Sequence, residues 1–215
     1  MIKRIGILLC ICVVQNVASQ KTLITFKNEL KTSSSYIKDV IPIVNKENGD
    51  IAFFVADAKN VYGYKLDKNF KVTEKITSKE KNRKYKVLIG SSVSNNDSYR
   101  VFLTNKNQNE FSSIQFSFKD GITTSKAFLL SKYEKFIQTV HFNNQFYLIS
   151  GAKENNQLFI YTFDHEGNPK KNYINTSGLR FIDYVGKKTT LLSLLIKRKH
   201  IKKFEENTPN TIELT

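Results

Sequence analysis

Apolar runs of strand length recur along this chain at nearly constant intervals, and that spacing restricts the available folds more than any other feature. IAFFVA begins at Ile51, YRVFLT at Tyr99, FYLISG at Phe146 and LLSLLI at Leu191, in steps of 48, 47 and 45 residues. Most are apolar at successive positions, which suits a strand covered on both faces, although a buried helix reads the same way. A shorter apolar strand precedes each: VIPIV at Val40, KVLIG at Lys86, FIQTV at Phe136 and FIDYV at Phe181. Polar turns separate the members of each pair, at Asn45 to Asp50, Ser94 to Ser98, Asn143 to Gln145 and Gly186 to Thr189.

A third strand follows each long run and alternates more clearly. Tyr62, Tyr64 and Leu66 share one face, as do Ile114, Phe116 and Phe118, and Phe159, Tyr161 and Phe163. These strands end in Asp-, Asn- and Gly-bearing turns, LDKNF, FKDGI and FDHEGNP, whose residues accept left-handed backbone or bond to their own main chain. Fourth strands are KVTEKIT, ITTSKAFLL, YINT and TIELT. Four strands in about 45 to 50 residues describe an all-β, β-propeller-like array of about four four-stranded antiparallel blades, near residues 39–78, 85–131, 135–177 and 180–215. The alternative is a β-sandwich, which needs no regular unit spacing. The spacing leaves open whether the ring closes. TLITFKNEL, Thr22 to Leu30, is placed to seal it, and an incomplete ring would call for a partner or further blades. The stretch VADAKNVYGYKLDKNF, Val55 to Phe70, resembles a blade of the NHL type: a strand ending in Ala-Asp, an Asn-bearing turn, and an alternating strand ending in Asp. The second and third units keep that layout without the Ala-Asp. The chain has no Trp, which removes tryptophan-docked blades and WD dipeptides.

The N-terminus reads as a leader. Lys3 and Arg4 precede the apolar run Ile5 to Val14, too short to span a bilayer, and small residues at Val17-Ala18-Ser19 set a cleavage point after Ser19. The expectation is a signal peptide at 1–19, a propeller-like domain at 20–215, and a secreted or periplasmic address. Both cysteines, Cys10 and Cys12, lie in the leader, so the domain has neither disulfide nor thiolate chemistry. No later run is long enough for a transmembrane segment.

The formal charge of +15 becomes +13 without Lys3 and Arg4, and attracts anionic partners. In propellers, ligands meet the face built by the loops from second to third strand and from blade to blade. Here the former are ADAKN, NKNQN, AKENN and IKRKH, with Lys59, Lys106, Lys153 and Lys199-His200 recurring every 47 residues and Arg198 beside the last. Lys59, Lys106, Lys153, Arg198 and Lys199 are therefore the candidate ligand-binding residues. No catalytic, metal or cofactor motif is present: His141, His165 and His200 lack ligand spacing, and Asp39, Asp57 and Asp183 lie at strand ends from which they could converge on a glycosidic bond, although Asp39 and Asp183 equally fit turn or edge roles. Interleaved aromatics suited to nucleic acid are lacking around the basic stretch Ser78 to Lys86. The expected function is a non-enzymatic binding or scaffold module engaging a protein or anionic polysaccharide. The alternatives are a carbohydrate-active hydrolase or lyase and a truncated relative without independent activity.

Overall fold

The computed structural model describes residues 40–79, 81–95, 97–152, 156–176 and 178–201. The leader at 1–19, the Thr22 to Leu30 segment and the TIELT strand lie outside them. Blade 1 consists of β1 (Ile41–Val44), β2 (Ile51–Ala56), β3 (Val61–Leu66) and β4 (Val72–Thr77). Blade 2 consists of β5 (Tyr85–Asn95), β6 (Ser98–Asn105), β7 (Glu110–Ser117) and β8 (Ile122–Leu129). Blade 3 consists of β9 (Glu134–Phe142), β10 (Gln145–Ala152), β11 (Gln157–Phe163) and β12 (Pro169–Ile174). Each sheet pairs four consecutive strands, antiparallel throughout. The first strands gather on one side, β5 touching both β1 and β9, while β4 meets β8 at the periphery. A sandwich would split the chain between two facing layers; here each sheet instead packs on the next, as propeller-like blades do.

The unbroken apolar runs reflect this serial packing. Every residue of β6 is buried. Tyr99, Val101 and Leu103 join Phe54 and Phe116 between blades 1 and 2, and Phe102 stacks on Phe146 of blade 3 with ring centroids 3.9 Å apart. Burying a side chain of this size contributes roughly 1.5–3 kcal/mol, so a strand walled on both faces has no position where a polar substitution is free. One charge does sit there. Arg100 is 1% exposed, and its guanidinium donates to Gln115 Oε1 at 2.5 Å and to the His165 carbonyl of blade 3 at 2.9 Å.

The fourth unit departs from expectation. LLSLLI is not a strand but opens helix α1 (Leu191–Ile201). FIDYV contributes only an isolated bridge, Ile182 to Lys188, around a turn that Asp183 caps by accepting from the Val185 and Lys187 N–H groups. The physical reason lies at Thr190. Its side-chain oxygen accepts from the Ser193 N–H at 3.1 Å, and Asn156 Oδ1 accepts from the Leu191 N–H at 3.1 Å, so two of the unpaired donors of a helix start are satisfied. Leucine and the basic residues that follow favour a helix once it is nucleated. Leu192 is buried, packing beside Ile137 at Gly151 of blade 3. The helix therefore lies on the face that a fourth blade was expected to cover.

Candidate functional site

The turns between second and third strands and the crossovers between blades share one end of the array. At the tip of blade 1 the Asp57 carboxylate accepts from the Lys59 and Asn60 N–H groups at 2.7 and 2.8 Å and from the Tyr62 hydroxyl at 2.7 Å. Asp57 is thus spent on the turn that displays Lys59. The Lys59 carbonyl in turn accepts from the Lys81 N–H at 2.7 Å, which ties the β4–β5 crossover to the same turn. In blade 2, Asn105 takes the place of Asp57: its Oδ1 accepts from the Asn109 N–H at 3.2 Å. The Asn109 carbonyl accepts from Leu130 at 3.1 Å and so holds the β8–β9 crossover.

Lys59 and Lys106 are both exposed at this end, on neighbouring blades. Lys153 lies outside the described residues. Arg198 and Lys199 do not sit in a loop between strands, as the spacing implied; their backbone belongs to α1.

Three further cations occupy this end at equivalent places that the loop spacing did not reveal. Each crossover closes with a turn in which the fourth N–H bonds the first carbonyl: Tyr85 to Asn82 at 3.1 Å, Glu134 to Ser131 at 2.9 Å, and Leu179 to Thr176 at 3.2 Å. The residue after each turn is basic and exposed: Lys86, Lys135 and Arg180. A sequence signal existed, since all three turns open on Asn, Ser or Thr, residues that bond locally to the backbone. The first two turns also display Arg83-Lys84 and Lys132-Tyr133 at their tips, and Tyr133 is 62% exposed.

The carboxylates of this end are already engaged. Glu110 pairs with Lys84. Glu134 is buried and accepts from the Ser131, Ser150 and Tyr161 hydroxyls at 2.6, 2.7 and 2.7 Å and from Lys171. Burial works against its charge, but Lys171 and the three hydroxyls outweigh it and hold the carboxyl below its ordinary value. Lys81 is buried with its ammonium on the Ala58 and Tyr85 carbonyls at 3.1 and 2.9 Å. Burial pulls its pKa down; Asp57 opposes that shift and the neighbouring charge of Lys86 adds to it. Lys59, Lys86, Lys106, Lys135 and Arg180 form no ion pair among the described residues. The opposite end is balanced differently. There Lys65 is shared by Asp97 at 2.6 Å, Asp50 at 3.2 Å and Glu74 at 3.5 Å. Burial lowers its pKa, yet Asp97 and Asp50 more than compensate and hold it well above the usual lysine range.

Between the inner strands runs a groove of about 330 Å³, lined by Val40 to Pro42, by Leu88 to Ser91 of β5 and by His141 of β9. Here β9 covers the free edge of β5. Thr139 donates to the Ile89 carbonyl at 3.1 Å, His141 Nδ1 donates to the Ser91 carbonyl at 3.1 Å, and the Val93 N–H donates to the Asn144 carbonyl at 2.8 Å. Two side chains and one carbonyl thus take groups that another strand would pair, which protects an edge from foreign strands. Gly90 permits the approach, because a Cβ there would lie 2.4 Å from His141 Cε1 and 2.6 Å from Phe146 Cε2. His141, which the sequence marked only as lacking ligand spacing, is a structural latch between β9 and β5. Among the described residues no group of three or more His, Cys, Asp or Glu is arranged to hold a metal, and no helix is long and apolar enough to cross a membrane.

No protein-family model matches the chain, and no curated protein matches it. Among solved structures it is similar to the crystal structure of a structural-genomics target, a protein from Lactobacillus plantarum, at 12% identity and a TM-score of 0.40. The match covers 71% of this chain and 54% of the other, so the chain spans about half the length of that protein.

Proposed function

We propose that the chain is a secreted or periplasmic, non-enzymatic binding or scaffold module that engages an anionic polymer or an acidic protein surface through the crossover end of its blades. The observation that carries this reading is the state of the charges there. Lys59 and Lys106 are exposed, while the described carboxylates Asp57, Glu110 and Glu134 are each committed to partners within the chain. Uncompensated cations at one end raise the local concentration of an anionic partner. The likeness of the first blade to the NHL type belongs to the same reading, since its Asp57 shapes the turn that presents Lys59. The address rests on the leader, and an exported chain beginning at Gln20 is the expected product; one that retained Met1 would remove the cleavage.

Retention on an anionic matrix tests the binding role. Wild type is expected to be held at low salt and released as salt screens the contact. Changing Lys59, Lys106 and Lys153 together to Ala should weaken retention about tenfold, each exposed ammonium contributing a factor of roughly two to three. Retention unaltered by the triple change would rule out these lysines as the binding face.

A further inference from the structure

We propose that the three crossover turns form a subsite for an acidic sugar chain, in which Lys86, Lys135 and Arg180 hold its carboxylate or sulfate groups and Tyr133 stacks on a sugar ring. This rests on the binding role proposed above and names its inner ligand set. The recurring turn supplies the geometry. Its hydrogen bond closes at Asn82–Tyr85, Ser131–Glu134 and Thr176–Leu179, and each closure is followed at once by an exposed cation. The first two cations open neighbouring inner strands at the same end. Strands β5 and β9 run side by side in the same direction, with Thr139 on Ile89, His141 on Ser91 and Asn144 on Val93, so Lys86 and Lys135 both lie at the crossover end of that pair.

Nothing within the described chain neutralises this set. Lys135 adjoins Glu134, yet that carboxylate is turned inward to Ser150, Tyr161 and Lys171. Lys86 stands near enough to the buried Lys81 to disfavour its charge. Asp57 offsets part of that repulsion, and an anionic ligand on Lys86 would offset the rest. Arg180 adds a planar fork suited to a carboxylate or sulfate.

Tyr133 decides the class of polymer. It is held out at the tip of the Ser131–Glu134 turn between Lys132 and Lys135, and the turn is fixed from beneath by the Ser131 hydroxyl on Glu134. An exposed ring flanked by cations fits a pyranose face carrying acidic groups. Single-stranded nucleic acid calls for a succession of stacking platforms, and the equivalent tip in the preceding crossover carries Arg83-Lys84 instead.

The test is binding of the intact chain to immobilised polygalacturonate, with poly-glutamate and neutral dextran in parallel. Changing Lys86, Lys135 and Arg180 together to Ala is expected to weaken polygalacturonate binding about thirtyfold, roughly threefold per cation. Tyr133→Ala should weaken it about fivefold and leave poly-glutamate binding unchanged. All four residues are exposed, so the thermal midpoint should not move and a folding defect would be seen separately. Full binding by the triple variant, in a protein whose binding does fall with Lys59, Lys106 and Lys153, overturns this subsite and leaves the broader reading standing. Absence of wild-type binding to both acidic matrices overturns both. Equal sensitivity of both acidic matrices to Tyr133→Ala, or a preference for poly-glutamate, overturns the sugar assignment in favour of an acidic protein.

Discussion

Glu134→Ala is expected to destabilise the protein by about 3 kcal/mol or more. The carboxylate is 5% exposed and serves four donors on three strands and a crossover. Removing it leaves the Ser150 and Tyr161 hydroxyls buried without an acceptor, at roughly 1–3 kcal/mol each. It also strands Lys171, whose ammonium is held over the Phe159 ring at 3.8 Å and loses its anion. The Lys171 side chain is 39% exposed, so loss of its anion adds less than breaking a fully buried pair would. Glu134→Gln keeps one acceptor oxygen and should lose about half as much. Urea denaturation measures both through the midpoint, provided the slope is constant. The pH dependence carries a definite sign. The folded carboxyl lies below its ordinary 4.5, so its contribution is complete above that value and is lost as pH falls through the lower folded pKa. The gap between wild type and Glu134→Ala should therefore be constant at neutral pH and close in acid. A gap under 1 kcal/mol at neutral pH, or one that widens in acid, would show that the hub is not a working ion pair.

Blade layout was legible in the sequence because β6 is buried on both faces and β2 and β10 are buried on one and partly covered on the other, which limits polar drift at fixed intervals. The same rule misled at Leu191. A buried helix also tolerates an unbroken apolar run, and the distinguishing marks were local. IAFFVA, YRVFLT and FYLISG are rich in aromatic and β-branched residues, whereas LLSLLI is leucine with its first β-branched residue at Ile196, and Thr190 with Ser193 forms its cap. The loss of Ala-Asp after the first blade also proved less informative than it looked, since Asn105 makes the turn contact that Asp57 makes. Lys59 and Lys106 were visible through their spacing of 47. Lys86, Lys135 and Arg180 were not, because their shared feature is a backbone hydrogen bond opened by three different residues. Arg100 was the plainest unanswered signal: a charge inside a strand buried on both faces must have a partner, but the partner, His165, lies 65 residues away on the next blade.

That partnership yields the second large effect. Gly167→Ala is expected to cost about 3 kcal/mol, and most of it should vanish when Arg100 is replaced by Met. Gly167 has φ +86°, and a Cβ there would lie 2.0 Å from Arg100 Nη1 and 2.5 Å from Cζ. The left-handed backbone alone costs an alanine about 1–2 kcal/mol. The remainder comes from the guanidinium, which must leave the His165 carbonyl at 2.9 Å while staying buried among Ser113 and Gln115. Burial already disfavours its charge, with Asp164 offering partial compensation. Arg100→Met removes both the obstacle and the buried charge. It carries a cost of its own, because Ser113, Gln115 and the His165 carbonyl each lose a donor, and removal of a buried charge whose Nε is unpartnered offsets part of that cost. A double-mutant cycle in urea isolates the coupling, expected at about 1–2 kcal/mol. If Gly167→Ala costs the same in both backgrounds, the price is purely conformational and Arg100 does not lock blade 2 to the turn of blade 3. If the cost falls to the backbone term, the glycine is there for the arginine, and a charge unexplained by its own strand is accounted for by the blade beside it.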